Sequence, residues 1–423
     1  MLLTEYRLDL VIQALRTALK MEHPADAVLR HFFQAERIGS NERALVAETV
    51  FGVLRHRLFL EHACTAVDKG QATARRMALS FWVKYGGYNL RELEPILKAK
   101  EAEWLGSVKG IRMEELPLSI QAELPNWVVE KLRPQRSDAE ILALGRSMQQ
   151  AAPLDLRVNT LLAGRDEVLQ SLQAEGFDAK ATPFSPMGIR LKDKPALNKH
   201  ALFLSGKFEV QDEGSQLLGL LLAPKRNDMV VDFCAGAGGK TLMLGAMMNS
   251  QGRLYAWDVS EKRLTNLKPR LKRSGLSNVQ PQLIAHENDS KVKRLAGKID
   301  RVLVDAPCSG LGTLRRNPDL KFRQSPQSVA ELNEKQAAIL ASAARLLKQG
   351  GRLVYATCSV LHEENRAIVE AFLSVHPDFR LVPAGEVLAQ HKIQLEMGEY
   401  LELSPQLHNT DGFFAAVLER KSV

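Results

Sequence analysis

From Asp228 onward the chain alternates short apolar runs with amphipathic helical stretches, and that alternation leaves few folds open. A strand buried on both faces reads as a short apolar run, and a crossover to a parallel neighbour needs a helix. Repetition of the two therefore specifies a parallel sheet covered on both sides. Strands are predicted at Met229–Ala235, Arg253–Asp258, Pro281–Ala285, Ile299–Ala306 and Arg352–Cys358. A helix is predicted over Ala330–Leu347, with Leu332, Ala337, Leu340, Ala344 and Leu347 on one face and Gly350-Gly351 as its stop. Phe379–Val382 and Phe413–Leu418 are expected to close the sheet as an antiparallel pair.

Before that region the pattern changes. Residues 1 to about 140 read as helical, because apolar positions recur at Leu8, Val11, Ile12, Leu15 and Leu19 and again at Leu45, Val46, Val50, Phe51, Val53 and Leu54. Pro134 and Ala151-Ala152-Pro153 mark breaks, and Leu154-Asp155-Leu156-Arg157-Val158-Asn159 opens a mixed segment ending near Leu222. The expected division is a helical domain at 1–140, a small bridging α+β subdomain at 141–222 and an α/β domain at 223–423. A chain of 423 residues, 45% of them hydrophobic, has material for two or three cores.

Several classes are excluded. The four cysteines, Cys64, Cys234, Cys308 and Cys358, form no CxxC pair, so neither a zinc ribbon nor a disulfide framework is expected, and no metal site is predicted. Free thiols suit a reducing cytosol. Thr4, Glu5 and Arg7 follow Met1-Leu2-Leu3 at once, unlike a signal peptide, and no apolar run reaches the about 20 residues a spanning helix needs. A soluble cytoplasmic protein is expected. The formal charge of +8 favours an anionic partner.

The first strand of the α/β region runs into Asp232-Phe233-Cys234-Ala235-Gly236-Ala237-Gly238-Gly239-Lys240-Thr241, a glycine-rich turn that lets backbone approach a ligand closely. A Walker A loop needs glycine where Cys234 stands, and a dinucleotide fingerprint needs its third glycine at Thr241. What remains is an S-adenosylmethionine loop. Asp258, closing the next strand, is placed to accept ribose hydroxyls, Asp289 beyond the third strand to reach the adenine amine, and Asp305 to sit near the reacting centre.

Further motifs follow in order: Leu156-Arg157-Val158-Asn159, Val210-Gln211-Asp212, Asp305-Ala306-Pro307-Cys308-Ser309, Arg315-Arg316-Asn317-Pro318-Asp319, Ala356-Thr357-Cys358-Ser359, Glu363-Glu364-Asn365 and Asp411-Gly412-Phe413-Phe414. With the glycine loop, they resemble the RNA cytosine-5 methyltransferases of the RsmB/Nop2/Sun type from about Leu156 to Leu418. The stretches Asn41-Glu42-Arg43-Ala44-Leu45 and Phe51-Gly52-Val53-Leu54-Arg55 are similar to the NusB-like RNA-binding domain of the RsmB branch. The resemblance implies a Rossmann-like class I S-adenosylmethionine-dependent methyltransferase domain, preceded by a helical NusB-like domain and the bridging subdomain. It implies that Cys234, Ala235, Gly236, Ala237, Gly238, Gly239, Lys240, Asp258, Asp289 and Asp305 hold the cofactor. It also implies that Cys358 is the nucleophile and that Cys308 assists product release. Ala237 replaces the family's usual proline, Phe322 a frequent tryptophan and His362 a common proline; none of these removes a reactive group.

The chemistry explains the thiols. Cytosine C5 is a poor nucleophile, and thiolate addition at C6 turns the ring into an enamine whose C5 attacks the methyl group. A free thiol titrates near ~8.5, so Cys358 needs cations or helix dipoles nearby. Charge pushed toward N3 and O2 calls for a hydrogen-bonded carboxyl, the role assigned to Asp305, which must be protonated or share a proton. The C5 proton must leave before Cys358 is expelled, and Cys308 is the candidate to help. Cys234 and Cys64 are expected only to offer backbone and to pack in a helical core, respectively. A base inside a duplex cannot expose C6, so the target should be single-stranded, looped or flipped. Arg315, Arg316, Lys321 and Arg323 either clamp its phosphates or form an exposed charged loop. The basic residues of the first 140 positions, such as Arg30, Arg37 and Arg43, likewise read as an RNA-facing surface or as solvated helix faces.

A DNA cytosine-5 methyltransferase also carries a Pro-Cys dipeptide, but needs no second strand-end Thr-Cys. A non-catalytic RNA-binding assembly factor would not need Asp305, Cys308 and Cys358 together. Within the family, the NusB-like region points to 16S ribosomal RNA, with transfer RNA the alternative. The resemblance implies that a monomer suffices.

Overall fold

The computed structural model describes residues 2–422 and divides the chain into two compact units. One comprises the residues up to Ala151 together with Thr313–Pro326, the other Ala152–Gly312 and the residues from Gln327.

The first unit is helical. Its opening helix, Glu5–Ala18, begins where the Thr4 hydroxyl accepts the Arg7 N–H, and it buries Leu8, Val11 and Leu15 on one face. Helices Ser40–Arg55 and Ala74–Lys84 pack on it, and the indole N–H of buried Trp82 donates to Thr49 Oγ1 at 2.9 Å. Cys64 is fully buried in this core, and burial pushes its thiol up to about 11. The break expected near 140 falls inside the helix Asp138–Met148, which reciprocal Ser137 and Glu140 hydrogen bonds cap. Thr313–Pro326, expected within the α/β domain, groups here because its polar side chains find partners here: Asp319 accepts the Ala25 N–H at 3.4 Å, and Lys321 Nζ donates to Glu123 O at 2.7 Å. No helix among the described residues is long and apolar enough to cross a membrane.

The second unit holds two sheets. The smaller, with strands β1 (Leu154–Val158), β2 (Ala179–Ala181), β3 (Gly188–Leu191) and β4 (Phe208–Val210), is antiparallel in the order β2-β3-β1-β4. Leu156, Val158, Ile189 and Phe208 pack with Val168 and Leu172 of the helix Arg165–Ala174 in its core. The larger sheet comprises β5 (Met229–Asp232), β6 (Arg253–Asp258), β7 (Val279–Leu283), β8 (Ile299–Asp305), β9 (Leu347–Thr357), β10 (Phe379–Val382), β11 (Leu401–Leu403) and β12 (Phe413–Arg420). Its order is β10-β12-β9-β8-β5-β6-β7, with β11 also on β12. The strands from β5 to β9 pair in parallel, and β12 closes antiparallel on β9 and β10.

Both faces of this sheet are covered. Val230, Leu254, Ala256, Leu303, Val354 and Ala356 enter one core, and their neighbours Val231, Tyr255, Trp257, Val302, Val304 and Tyr355 enter the other. Two expectations need correction. The long helix spans Pro326–Ala344, and Gly350-Gly351 do not stop it but lie within β9, where Gly350 at φ +72° accompanies a register shift against β8. The third parallel strand starts earlier than expected, at Val279, and ends at Leu283.

Candidate active site and cofactor cavity

Strand order reverses at β5: the chain moves outward through β6 and β7, then returns to set β8 on the other side of β5. The crevice beyond the strand ends at such a reversal is where open α/β sheets bind ligands, and a cavity of 760 Å³ lies there. β5 ends at Asp232, and the chain turns through the glycine loop into the helix Gly239–Met247. Gly236 and Gly238 have φ of +58° and +83°, left-handed values that side chains resist. A Cβ at Gly238 would stand 2.1 Å from Leu267 Cδ1, whereas one at Gly236 would meet nothing within 4 Å. The loop is thus pressed against a helix at one glycine and open at the other. Two arginines brace it. Arg270 donates to Ala237 O at 2.7 Å, and Arg157 donates to Gly239 O at 2.5 Å and to Gln211 Oε1. Burial lowers the Arg157 guanidinium to about 10.

Of the expected cofactor residues, Cys234, Ala235, Gly236, Ala237, Gly239, Lys240, Asp258 and Asp305 line the cavity. Gly238 does not, being packed on Leu267, and neither does Asp289. The Asp289 carboxylate accepts the Ala285 and Lys291 N–H groups, each at 2.8 Å, and caps the short helix Ser290–Lys293. Its placement is that of a turn-forming residue, while His286 and Glu287 border the cavity from the same segment. Asp258 accepts the Gly236 and Ser260 N–H groups at 2.8 Å each, tying the glycine loop to the end of β6.

Asp232 is a site residue that the sequence reading passed over, although an acid ending an apolar strand just before a glycine turn was a signal for it. It is buried; Thr241 Oγ1 donates to its Oδ2 at 2.7 Å, and its Oδ1 has no partner among the described residues. Burial pushes its carboxyl up to about 7, and the charge of Asp305 adds to the effect. A buried carboxylate oxygen without a donor suits a cationic ligand group. Cys234, beside it, is held protonated by burial.

Lys240 Nζ donates to Asp305 Oδ2 at 2.6 Å. Burial alone would favour neutral lysine, but the charge and hydrogen bond of Asp305 outweigh it, with Cys358 contributing, and Lys240 is held above the ordinary lysine range. β8 and β9 run side by side with Asp305 opposite Ala356, so the segments beyond their ends bring Cys308 and Cys358 together, Sγ to Sγ at 3.3 Å. The Cys358 N–H also points to Cys308 Sγ, at 3.3 Å. Hydrogen bonding to Cys358 and burial push the Cys308 thiol well above its usual range, which favours the protonated form of Cys308. Both sulfurs line the same cavity as Lys240 and Asp305.

Two members of the basic cluster after Cys308 are placed differently from a phosphate clamp. Lys321 and Arg315 are each only 3% exposed, and Arg323 pairs with Asp319 at 3.4 Å. Lys321 is turned inward to Glu123 Oε2 at 3.2 Å.

Residues 219–419 match a family model described as 16S rRNA methyltransferase RsmB/F, and residues 124–198 match one for the ferredoxin-like domain of RsmF/B-like methyltransferases. A probable ribosomal RNA small subunit methyltransferase B of Synechocystis sp. is 31% identical, across 97% of this chain and 99% of that protein. The ribosomal RNA small subunit methyltransferase B of Sodalis glossinidius is 30% identical, across 91% of each. Among solved structures, PH0851 superposes with a TM-score of 0.80 at 25% identity, covering 99% of this chain and all of that one (100%). A methyltransferase homolog protein from Pyrococcus horikoshii gives 0.58 at 28% identity, covering 71% of this chain and 100% of that one.

Proposed function

The chain belongs to the RsmB/F family of RNA methyltransferases, and on that premise we propose that it methylates C5 of a cytosine in 16S ribosomal RNA through a covalent Cys358 adduct. S-adenosylmethionine is the methyl donor and, when bound, supplies an electrophilic methyl group on a sulfonium. The residues present fit it: Gly236 leaves open space for close backbone approach, the unpartnered Asp232 Oδ1 suits its ammonium, and Asp258 retains lone pairs for its ribose hydroxyls.

The observation that carries this reading is the meeting of two thiols at 3.3 Å in a cavity they share with the Lys240–Asp305 pair. Transfer to an already nucleophilic atom needs no thiol, whereas cytosine C5 needs one to activate it and benefits from a second at release. The Cys358 sulfur bonds to C6, and electron density moves toward N3 and O2. There Asp305 must take up a proton to hydrogen-bond N3, and the Lys240 ammonium beside it, 2.6 Å away, meets the charge developing on the ring. Once C5 carries the methyl group, its proton passes to a base, the C5–C6 double bond re-forms, and the electron pair of the C6–S bond returns to Cys358. The Cys308 thiol then hydrogen-bonds the departing sulfur.

Cys308→Ala and Cys358→Ala variants, each mixed with cofactor and RNA from cells lacking the modification, test the assignment. A denaturant-resistant protein–RNA adduct is expected in Cys308→Ala and none in Cys358→Ala. The reverse pattern would exchange the two roles. Labelled methyl appearing in transfer RNA would replace the substrate, and neither transfer nor adduct with any RNA would favour a non-catalytic assembly factor.

A further inference from the structure

We propose that Glu364 is a positioning residue for the two thiols, its buried carboxylate anchoring the Cys308 loop and the Cys358 loop to one point. The catalytic consequence rests on the covalent reading above; the geometry does not. Glu364 is fully buried at 0% exposure and stands outside the cavity lining. Its Oε1 accepts the Ser309 N–H at 2.8 Å and the Gln336 amide at 3.1 Å, and its Oε2 accepts the hydroxyls of Ser309, at 2.5 Å, and of Ser359. Ser309 and Ser359 directly follow the two cysteines, and their own hydroxyl oxygens lie 3.1 Å apart.

The same anchor reaches further along both loops. Gln336 also donates to Pro307 O at 2.9 Å, on the residue before Cys308. Tyr355 OH donates to Glu364 O at 2.7 Å, and Asn365, the next residue, accepts the Thr357 hydroxyl at 2.5 Å and donates to Ser359 O at 3.0 Å. Cys308 and Cys358 are thus each held from both sides by groups that converge on Glu364-Asn365. Hydrogen bonds to a carboxylate are stronger than neutral ones, and this carboxylate is met by neutral donors that belong to the two loops and to one helix. A sulfur contact at 3.3 Å is lost if either loop moves by about 1 Å, and misplacement on that scale costs about 100-fold in rate. After the Cys358 hydrogen bond, burial and the charge of Cys358, the Glu364 charge adds to the upward shift of the Cys308 thiol.

The test compares Glu364→Ala, Glu364→Gln and Ser359→Ala with the parent in the full-length chain, reading iodoacetamide alkylation of each cysteine by peptide mass mapping alongside single-turnover methyl transfer. Glu364→Ala is expected to raise Cys308 alkylation at least about fivefold relative to Cys64 and to lower turnover about 100-fold. Glu364→Gln keeps the shape and one accepting oxygen, and the serine hydroxyls can turn to accept from its amide, so it recovers most of the turnover. Cys64, buried in the helical unit, is the control for unfolding of that unit, and the urea midpoint of each variant is the control for the unit that holds Glu364. If either control shifts, Glu364→Ala has unfolded, and the ratio of Cys308 to Cys64 in Ser359→Ala decides instead. Ratios and turnover within about twofold of the parent in the folded variants would overturn the proposal. A shifted ratio without an adduct in Cys308→Ala would leave the anchor standing and remove the covalent reading.

Discussion

Lys240 and Asp305 border the cavity, whereas Lys321 and Glu123 are sealed among the helices of the other unit, and the two lysines are driven in opposite electrostatic directions. Side-chain exposure is 12% and 29% in the first pair and 3% and 1% in the second. In the sealed pair burial wins: it pulls Lys321 below the ordinary lysine range and pushes the Glu123 carboxyl up, against their mutual attraction. In the cavity pair the attraction wins, and Lys240 is held above that range. Burial of a charged pair therefore does not mark a reactive site. What separates the two is access for a ligand, combined with surroundings that keep the lysine charged.

Breaking the sealed pair should have the largest effect. Lys321→Met leaves Glu123 buried without its cation, which costs about 3–5 kcal/mol, read as a lower urea midpoint. Adding Glu123→Gln should recover most of that loss, because the uncompensated charge is then gone. Methyl transfer per folded molecule should stay at the parent level. Unchanged stability with abolished transfer would instead restore Lys321 to phosphate binding, one of the two roles the sequence leaves open.

The cavity pair should respond in the opposite way. Lys240→Met is expected to lower turnover about 100- to 1,000-fold, because it removes the cation that meets charge developing on the base, while the melting midpoint moves by only about a few degrees. Equal loss of stability in Lys240→Met and Lys321→Met would erase the distinction drawn between the pairs.

The same contrast explains what the sequence disclosed. β6 and β8 were legible as apolar runs because both faces of the sheet are covered, and the Arg253–Asp258 bounds match. β7 was misplaced because it is an edge strand rich in polar residues, with Pro281 tolerated where a ladder hydrogen bond is not needed. Gly350-Gly351 carried the composition of a helix stop, but the helix had already ended at Ala344, and the pair serves an irregularity in β9 that only pairing with β8 defines. The glycine loop and the two cysteines were legible because each is a local motif at a strand end. Lys321 was not, because its burial depends on Glu123, 198 positions away.

Asp289 gives the smallest expected effect, and it tests the same lesson at single-residue scale. The sequence places an acid beyond the third strand and invites a role in adenine recognition, yet both carboxylate oxygens are turned to backbone N–H groups of its own turn. Those hydrogen bonds hold its carboxyl below the usual aspartate range, so the group stays ionised as a cap across the working pH range. Asp289→Ala should lower the melting midpoint slightly and leave cofactor affinity, measured by calorimetry, within about twofold of the parent. His286→Ala and Glu287→Ala, which alter the cavity wall, should weaken cofactor binding more than Asp289→Ala does. A larger loss of affinity in Asp289→Ala than in either neighbour would mean that the turn itself shapes the cofactor site, and that a residue can direct binding through the backbone it caps without lining the cavity.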